Sequence, residues 1–449
     1  MSLAQDSAQM ARDGGVTTPK LGNNAFSTDK LFQIGQGQFI GRDNLQSGTG
    51  NVAATQSYPD ISLTSALSAP FDATTAWRGL SAYISQIKQT NTSSLNAFYS
   101  EIINSQNLFG STKYAGNIIH PNGKVYLLPN ASTNLGILNP SNMSITTLAP
   151  GIPAGYNTYP YSGGVLAQDG KIYLVPSQTT YIVEIDPSNN GFTSYAGPTH
   201  TTAQSMFVAG GTLAPNGKIY FFPGSITFCG IFDPTLKTYT AFSINPPVGT
   251  IGAGVSLYNG NALAPNGKIY GIPEEATMVL VIDPSTNTAS TFGNYPGTGN
   301  WPSLTDKYYG GVLAPNGKIY CIPGAATVVA CIDPNNNSVT TFGMAGGVGL
   351  GLGTTLLKFI DGVLASNGKI YGVPYNASYV LIIDPDNDTC TTFSDSLIGS
   401  GYVGNGGCSL PNGKIFFVPW NSSNPVCLNI LTNNNLGINV TSSPFINKY

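Results

Sequence analysis

The sequence predicts an all-β fold of seven small sheets arranged round an axis, and three observations lead there. The first is a phrase, Leu263-Ala264-Pro265-Asn266-Gly267-Lys268-Ile269-Tyr270, that recurs almost letter for letter at Leu213–Tyr220 and Leu313–Tyr320. Looser copies close on Asn122-Gly123-Lys124, Asp169-Gly170-Lys171, Asn367-Gly368-Lys369 and Asn412-Gly413-Lys414, giving seven in all at spacings of 47, 47, 50, 50, 51 and 45 residues. A fixed period near fifty marks a repeat architecture. The second is the content of each period: short apolar or β-branched runs separated by turn residues, as strands of a meander require. The third is a glycine at one offset in six copies (Gly116, Gly163, Gly210, Gly260, Gly310, Gly406), with Asp361 followed by Gly362 in the remaining one. A missing Cβ there is what converging inner strands demand.

Within the copy from Gly260 to Phe292, four strands a to d can be placed. Ala262 to Ala264 ends strand a, and Asn266-Gly267 closes the a–b hairpin, where a type I′ turn is expected. Ile269 to Ile272 is strand b, Thr277 to Ile282 strand c, and Thr288 to Phe292 strand d, with Asp283-Pro284 turning c into d. The Asp column (Asp186, Asp233, Asp283, Asp333, Asp384, with Asn139 in the first copy) precedes Pro each time, which suits a side chain accepting from turn N–H groups. One four-stranded sheet has two apolar faces to bury, and seven packed face to face around an axis bury them: a seven-bladed β-propeller. The seventh copy contains its own c strand near Val426–Ile430 and d strand near Ile438–Thr441, so no N-terminal strand is expected to close the ring.

The phrase Gly-Lys-Ile-Tyr, the aliphatic strand ending in Asp-Pro and the short aromatic-ended strand resemble the kelch repeat over residues 110–441. Ile272-Pro273 replaces the glycine pair of that repeat, and Phe292, Phe342 and Phe393 replace its tryptophan. The resemblance implies a propeller that binds partners, as most kelch propellers do, a minority being enzymes.

Before the propeller (110–449), residues 1–73 read as an extended polar arm whose Phe32, Ile34 and Phe39 are candidate anchoring residues. Residues 74–109 read as a short helical stem of two amphipathic helices: Trp77, Leu80, Ile84 and Ile87 share one face, and Leu95, Phe98, Tyr99, Ile102 and Ile103 share another. Trp77, Leu80 and Phe98 join the anchoring set. The helices either pack under the propeller or form an oligomerisation stem.

Composition excludes several functions. Only 9% of residues are charged, against about 25% in an ordinary soluble protein, and the net charge is −3 without a basic run, which argues against nucleic acid as a partner. No stretch approaches a membrane span, and no secretory signal is visible at the start. Two histidines and six cysteines without metal spacing predict neither a metal nor another cofactor. Cys321 and Cys331 fall on neighbouring strands and could face each other. Asp384-Pro385-Asp386-Asn387-Asp388 has the look of half a calcium loop but coincides with the c–d turn, and a turn is the better reading.

In a meander the tight a–b and c–d turns share one face of the disc, and the long, dissimilar b–c and d–a connections share the other. Variable loops on a rigid scaffold are where binding resides. The candidates are Tyr156, Tyr159, Tyr161, His200, Glu274, Glu275, Tyr295, Trp301, Tyr308, Tyr375 and Trp420, where aromatic rings with polar rims suit a sugar or a protein receptor. A polar arm followed by a charge-poor propeller has a layout similar to capsid vertex spikes, tail fibres and decoration proteins. The expectation is a non-enzymatic, oligomeric virion protein, on the particle or another extracellular surface. Residues 1–105 would hold neighbouring subunits and the propeller would meet a host glycan or protein. Two alternatives remain open: a stand-alone carbohydrate-binding propeller, and a propeller lyase or hydrolase using Asp361, Glu274 and Glu275.

Overall fold

The structure is a computed structural model that describes residues 98–102, 114–132, 134–148, 159–199, 206–244, 256–293, 306–343, 357–394, 398, 404–420 and 425–430. The chain divides into two units, Met1–Ser93 and Ser94–Tyr449, and every described residue belongs to the second.

Seven four-stranded antiparallel sheets form the blades. A first strand, β1, runs from Phe98 to Ile102. Blade I is β2 (Tyr114–Ile119), β3 (Val125–Pro129), β4 (Leu135–Asn139) and β5 (Ser144–Leu148). Blade II is β6 (Tyr161–Leu166), β7 (Ile172–Pro176), β8 (Tyr181–Asp186) and β9 (Gly191–Ala196). Blade III is β10 (Gly211–Leu213), β11 (Ile219–Phe221), β12 (Phe228–Asp233) and β13 (Thr238–Ser243). Blade IV is β14 (Tyr258–Leu263), β15 (Ile269–Pro273), β16 (Val279–Asp283) and β17 (Thr288–Phe292). Blade V is β18 (Tyr308–Leu313), β19 (Ile319–Pro323), β20 (Val329–Asp333) and β21 (Ser338–Phe342). Blade VI is β22 (Phe359–Leu364), β23 (Ile370–Pro374), β24 (Val380–Asp384) and β25 (Thr389–Phe393). Blade VII takes β26 (Gly407–Ser409), β27 (Ile415–Phe417) and β28 (Val426–Ile430) from the end of the repeat region, and β1 as its fourth strand.

That last sheet corrects two expectations. Phe98 pairs with Ile430 and Ile102 with Val426, so this segment is an edge strand and not part of a second helix. Helical spacing of Leu95, Phe98, Tyr99 and Ile102 also allows an extended strand over so short a run, and the unpaired edge of β28 decides between them. The ring is therefore closed by a strand from the N-terminal side, in the place expected for a strand near Ile438–Thr441, which lies outside the described residues. Phe32, Ile34, Phe39, Trp77 and Leu80 lie outside them as well.

Inner strands of successive blades touch all the way round, from β2 through β6, β10, β14, β18, β22 and β26 back to β2. The glycine column forms the collar: Gly116, Gly163, Gly210, Gly260, Gly310 and Gly406 all take positive φ. A Cβ on Gly260 would lie 2.6 Å from the Gly310 Cα, so neighbouring backbones meet where side chains would stand. Strands b and c are buried almost throughout, and strand d alternates towards solvent. Each pair of blade faces traps a core of Ile, Val, Leu, Tyr and Phe. Cys321 and Cys331 do not face each other: Cys321 pairs with Ala330, placing the two sulfurs on opposite faces of blade V in separate cores.

The a–b turn is not type I′. Gly123 N–H donates to His120 O and His120 N–H to Lys124 O, with positive φ at Gly123 alone of the turn residues. This is a type I turn with the glycine as the left-handed bulge residue. Proline at the first central position in five copies favours it, because its ring holds φ negative, and Gln168 and Ser366 take the same turn in the other two.

Candidate functional site

Two edges of the disc carry different chemistry. On the turn edge, polar side chains of the repeat hold blade to blade. Asn216 Nδ2 and the Tyr220 hydroxyl reach Pro284 O at 2.9 and 3.2 Å in the next blade, and Tyr220 also reaches Asn287 Oδ1 at 2.5 Å. Tyr270 repeats this toward Pro334 and Asn337, and Tyr320 toward Pro385 and Asp388. The acidic run at Asp384 is thus a turn: Asp386 N–H donates to Asp384 Oδ1 at 3.1 Å, and Asp388 receives Tyr320 and, at 3.2 Å, the Lys318 ammonium.

Between blades II and III the same position is ionic. Buried Glu184 receives Lys171, Lys237 at 2.7 Å and the Tyr195 hydroxyl at 2.9 Å, while the Tyr173 hydroxyl lies 2.6 Å from Asp169 Oδ2. Burial alone would raise the Glu184 carboxyl, but the bonds from Lys171, Lys237 and Tyr195 outweigh it and hold it at about 2.

The other edge contains a cavity of about 360 Å³ at the axis, above the glycine collar. Its walls come from two columns of the repeat. One is the residue before the collar position, contributing Ala115, Ser162, Ala209, Asn259, Ile360 and Asn405. The other is the residue after the strand-b proline, contributing Asn130, Ser177 and Trp420. Tyr159 stands with Trp420 in the wall, itself 37% exposed, and Asp361 is the one carboxylate among the lining residues. Asn130 donates through Nδ2 to Tyr161 O at 2.7 Å, and Asn405 to Tyr114 O at 3.0 Å, so both amides are fixed by the backbone of a neighbouring blade.

The same two columns hold a second arrangement between blades IV and V. Tyr309, before the collar, and Glu274, after the proline, meet at 2.6 Å, and the Tyr309 hydroxyl also lies 2.6 Å from Asp306 Oδ1. Gly324 makes room for that ring, since a Cβ there would sit 2.7 Å from Tyr309 Cδ2. Burial raises the Glu274 carboxyl to about 8; the Tyr309 bond opposes this and nearby Asp306 adds to it. Lys307 is buried beside it, and desolvation lowers its ammonium to about 8.

The expected binding residues therefore separate. Tyr159 and Trp420 come together at the cavity. Tyr161 and Tyr308 are core residues, 1% and 0% exposed, because each begins an inner strand with its ring between blades. Glu274 is buried as well, Glu275 and Tyr375 are half-buried at b–c tips, and none of the three lines the cavity. Tyr156, His200, Tyr295 and Trp301 lie outside the described residues. Asn130, Ser162, Ser177, Asn259 and Asn405 were missed. Their signal was present in the sequence: these two columns vary while the residues around them repeat.

No protein-family model and no curated protein sequence matches the chain, so the kelch likeness is one of blade plan alone. Solved propellers do match its fold. A streptogramin B lyase aligns with TM-score 0.57 at 15% identity, over 75% of this chain and 98% of that one. The virginiamycin B lyase of Staphylococcus aureus aligns with TM-score 0.58 at 13% identity, over 75% and 100%. The extracellular domain of a putative hybrid two-component system from B. thetaiotaomicron aligns with TM-score 0.55 at 11% identity, over 76% of this chain and 44% of that one. At these identities the likeness establishes the seven-bladed fold and nothing finer. No helix among the described residues is long and apolar enough to cross a membrane, which leaves strands unaddressed.

Proposed function

We propose that this chain is a recognition protein, non-enzymatic, that binds a partner or receptor with the variable-loop edge of its propeller. The observation that carries this reading is the axial cavity on that edge, with Tyr159 and Trp420 in its wall and fixed amides behind them. Its volume falls in the range of small-ligand sites, and rings beside amides are what a sugar or an extended peptide uses. Asn130 and Asn405 are already held by backbone of the neighbouring blade, which lowers the cost of ordering them on binding.

For the setting, we infer display on a virion, as a vertex spike, tail fibre or decoration protein, with the N-terminal region as the anchor. A long polar arm with scattered apolar residues and a charge-poor surface support it. Mass spectrometry of purified particles tests this half, and absence from particles removes it. The recognition half is tested with a glycan array and a cell-binding assay on the whole chain. Trp420→Ala and Tyr159→Ala should each weaken binding about tenfold, as loss of an interface anchor does. Unchanged binding by both variants would move recognition away from the axis.

A further inference from the structure

Blade VI departs from the repeat where the blades meet. Six collar positions are glycine and the seventh is Asp361, which lacks the positive φ that the glycines adopt and pairs with Val373 in the inner hairpin. Backbone geometry does not explain an acid there. Its carboxylate reaches sideways over the collar on both flanks. A Cβ on Gly310 in blade V would lie 2.7 Å from Asp361 Oδ1, and one on Gly406 in blade VII would lie 3.6 Å from Oδ2. The floor of the cavity is therefore bare backbone with one anionic group across it.

The polar walls favour the same kind of ligand. Asn130 and Asn405 turn their NH2 groups to Tyr161 O and Tyr114 O, and the Ser162 hydroxyl donates to Phe207 O. The Ser162 hydroxyl and one N–H of each amide are thus committed to the scaffold, and among the lining residues the formal charge is negative. A phosphate, sulfate or carboxylate meets the wrong sign here. A ligand rich in donors, with a positive end for Asp361 and a face for an aromatic ring, meets the right one.

We propose that the axial cavity binds a small hydroxylated primary amine, an amino sugar whose amine is free, with its ammonium on Asp361 and its ring against Trp420. This rests on the recognition reading above and names the class of ligand for that site. No bond is made or broken.

Isothermal titration of the full chain with glucosamine, glucose and N-acetylglucosamine, below about pH 7 where the free amine is protonated, tests it. Glucosamine should bind about 10- to 100-fold more tightly than the other two, the range of a hydrogen bond to a charged group. Added salt should weaken glucosamine alone. Asp361→Asn should remove that advantage. Asp361→Gly, which restores the residue carried by the other six blades, should do the same. Equal binding of the three sugars, insensitive to Asp361→Asn but lost in Trp420→Ala, would overturn the ammonium assignment and leave the recognition edge standing. Absence of glucosamine binding would overturn it too, as would displacement of glucosamine by calcium in an Asp361-dependent manner, which would make the collar a metal site.

Discussion

Glu184 and Glu274 are buried to nearly the same degree, 3% and 4% exposed, and the protein holds them in opposite states. Glu184, on the turn edge, has two ammoniums and two phenols, Tyr195 and Tyr173, within hydrogen-bond reach and stays charged, with its carboxyl at about 2. Glu274, on the variable edge, shares a phenol with another carboxylate, and burial keeps it protonated up to about 8. Both acids bridge neighbouring blades, so burial alone does not set their charge. The sign of the groups across the blade junction does.

Glu184→Ala should produce the largest effect, a loss of about 2–3 kcal/mol in urea unfolding at neutral pH. It leaves Lys171 and Lys237 crowded together, though at 32% and 29% exposure water screens part of that repulsion. The wild-type contribution of Glu184 is present above its ordinary value of 4.5 and drains as pH falls towards about 2, so Glu184→Gln should flatten the acid limb of the stability curve. If that limb is unchanged, the ionic junction does not differ energetically from its neutral neighbours.

Glu274 should act with the opposite sign. Its folded-state value lies above 4.5, so its contribution is intact below about 4.5 and is lost as pH rises through about 8. Glu274→Gln should stabilise the protein by about 1–2 kcal/mol above pH 8 and have little effect at pH 4. Equal effects at both pH values would mean that Glu274 is already ionised and the contrast with Glu184 is false.

Two smaller changes separate the neutral latch from the ionic one. Tyr270→Phe should cost about 1 kcal/mol, the worth of a partly buried hydrogen bond, with no pH dependence between 4 and 9. The junction of blades VII and I lacks this latch: Phe416 occupies the tyrosine position, and Asn412 Nδ2 lies 3.9 Å from the Met143 sulfur. Phe416→Tyr with Met143→Asn should install it and raise stability by about 0.5–1 kcal/mol in the same assay. A loss instead would show that the closing junction needs apolar contact more than a hydrogen bond.

Much of this was legible in the chain. Gly260 and its counterparts announced the collar, Asp283-Pro284 the c–d turns, and Asp361 the one exception at the axis. The closing strand was not legible, because Phe98–Ile102 contains spacing compatible with helix or strand, and only the edge of β28 selects the strand. Tyr161 and Tyr308 look like loop aromatics in the sequence. They are core residues because the inner strand begins two positions before the collar glycine that opens the repeat copy.

What the sequence determined by itself was the periodic part: blade number, strand order in the first six blades, turn positions and the glycine at the axis. Each depends on local backbone preference repeated seven times, and repetition makes a local signal readable. Tertiary structure alone decided which variable residues meet. Asn130, Asn405, Trp420 and Asp361 come from blades I, VII and VI, almost 300 residues apart in the extreme, and share one cavity because the ring brings its ends together. The charges of Glu184 and Glu274 were decided in the same way, by partners that a neighbouring blade supplies.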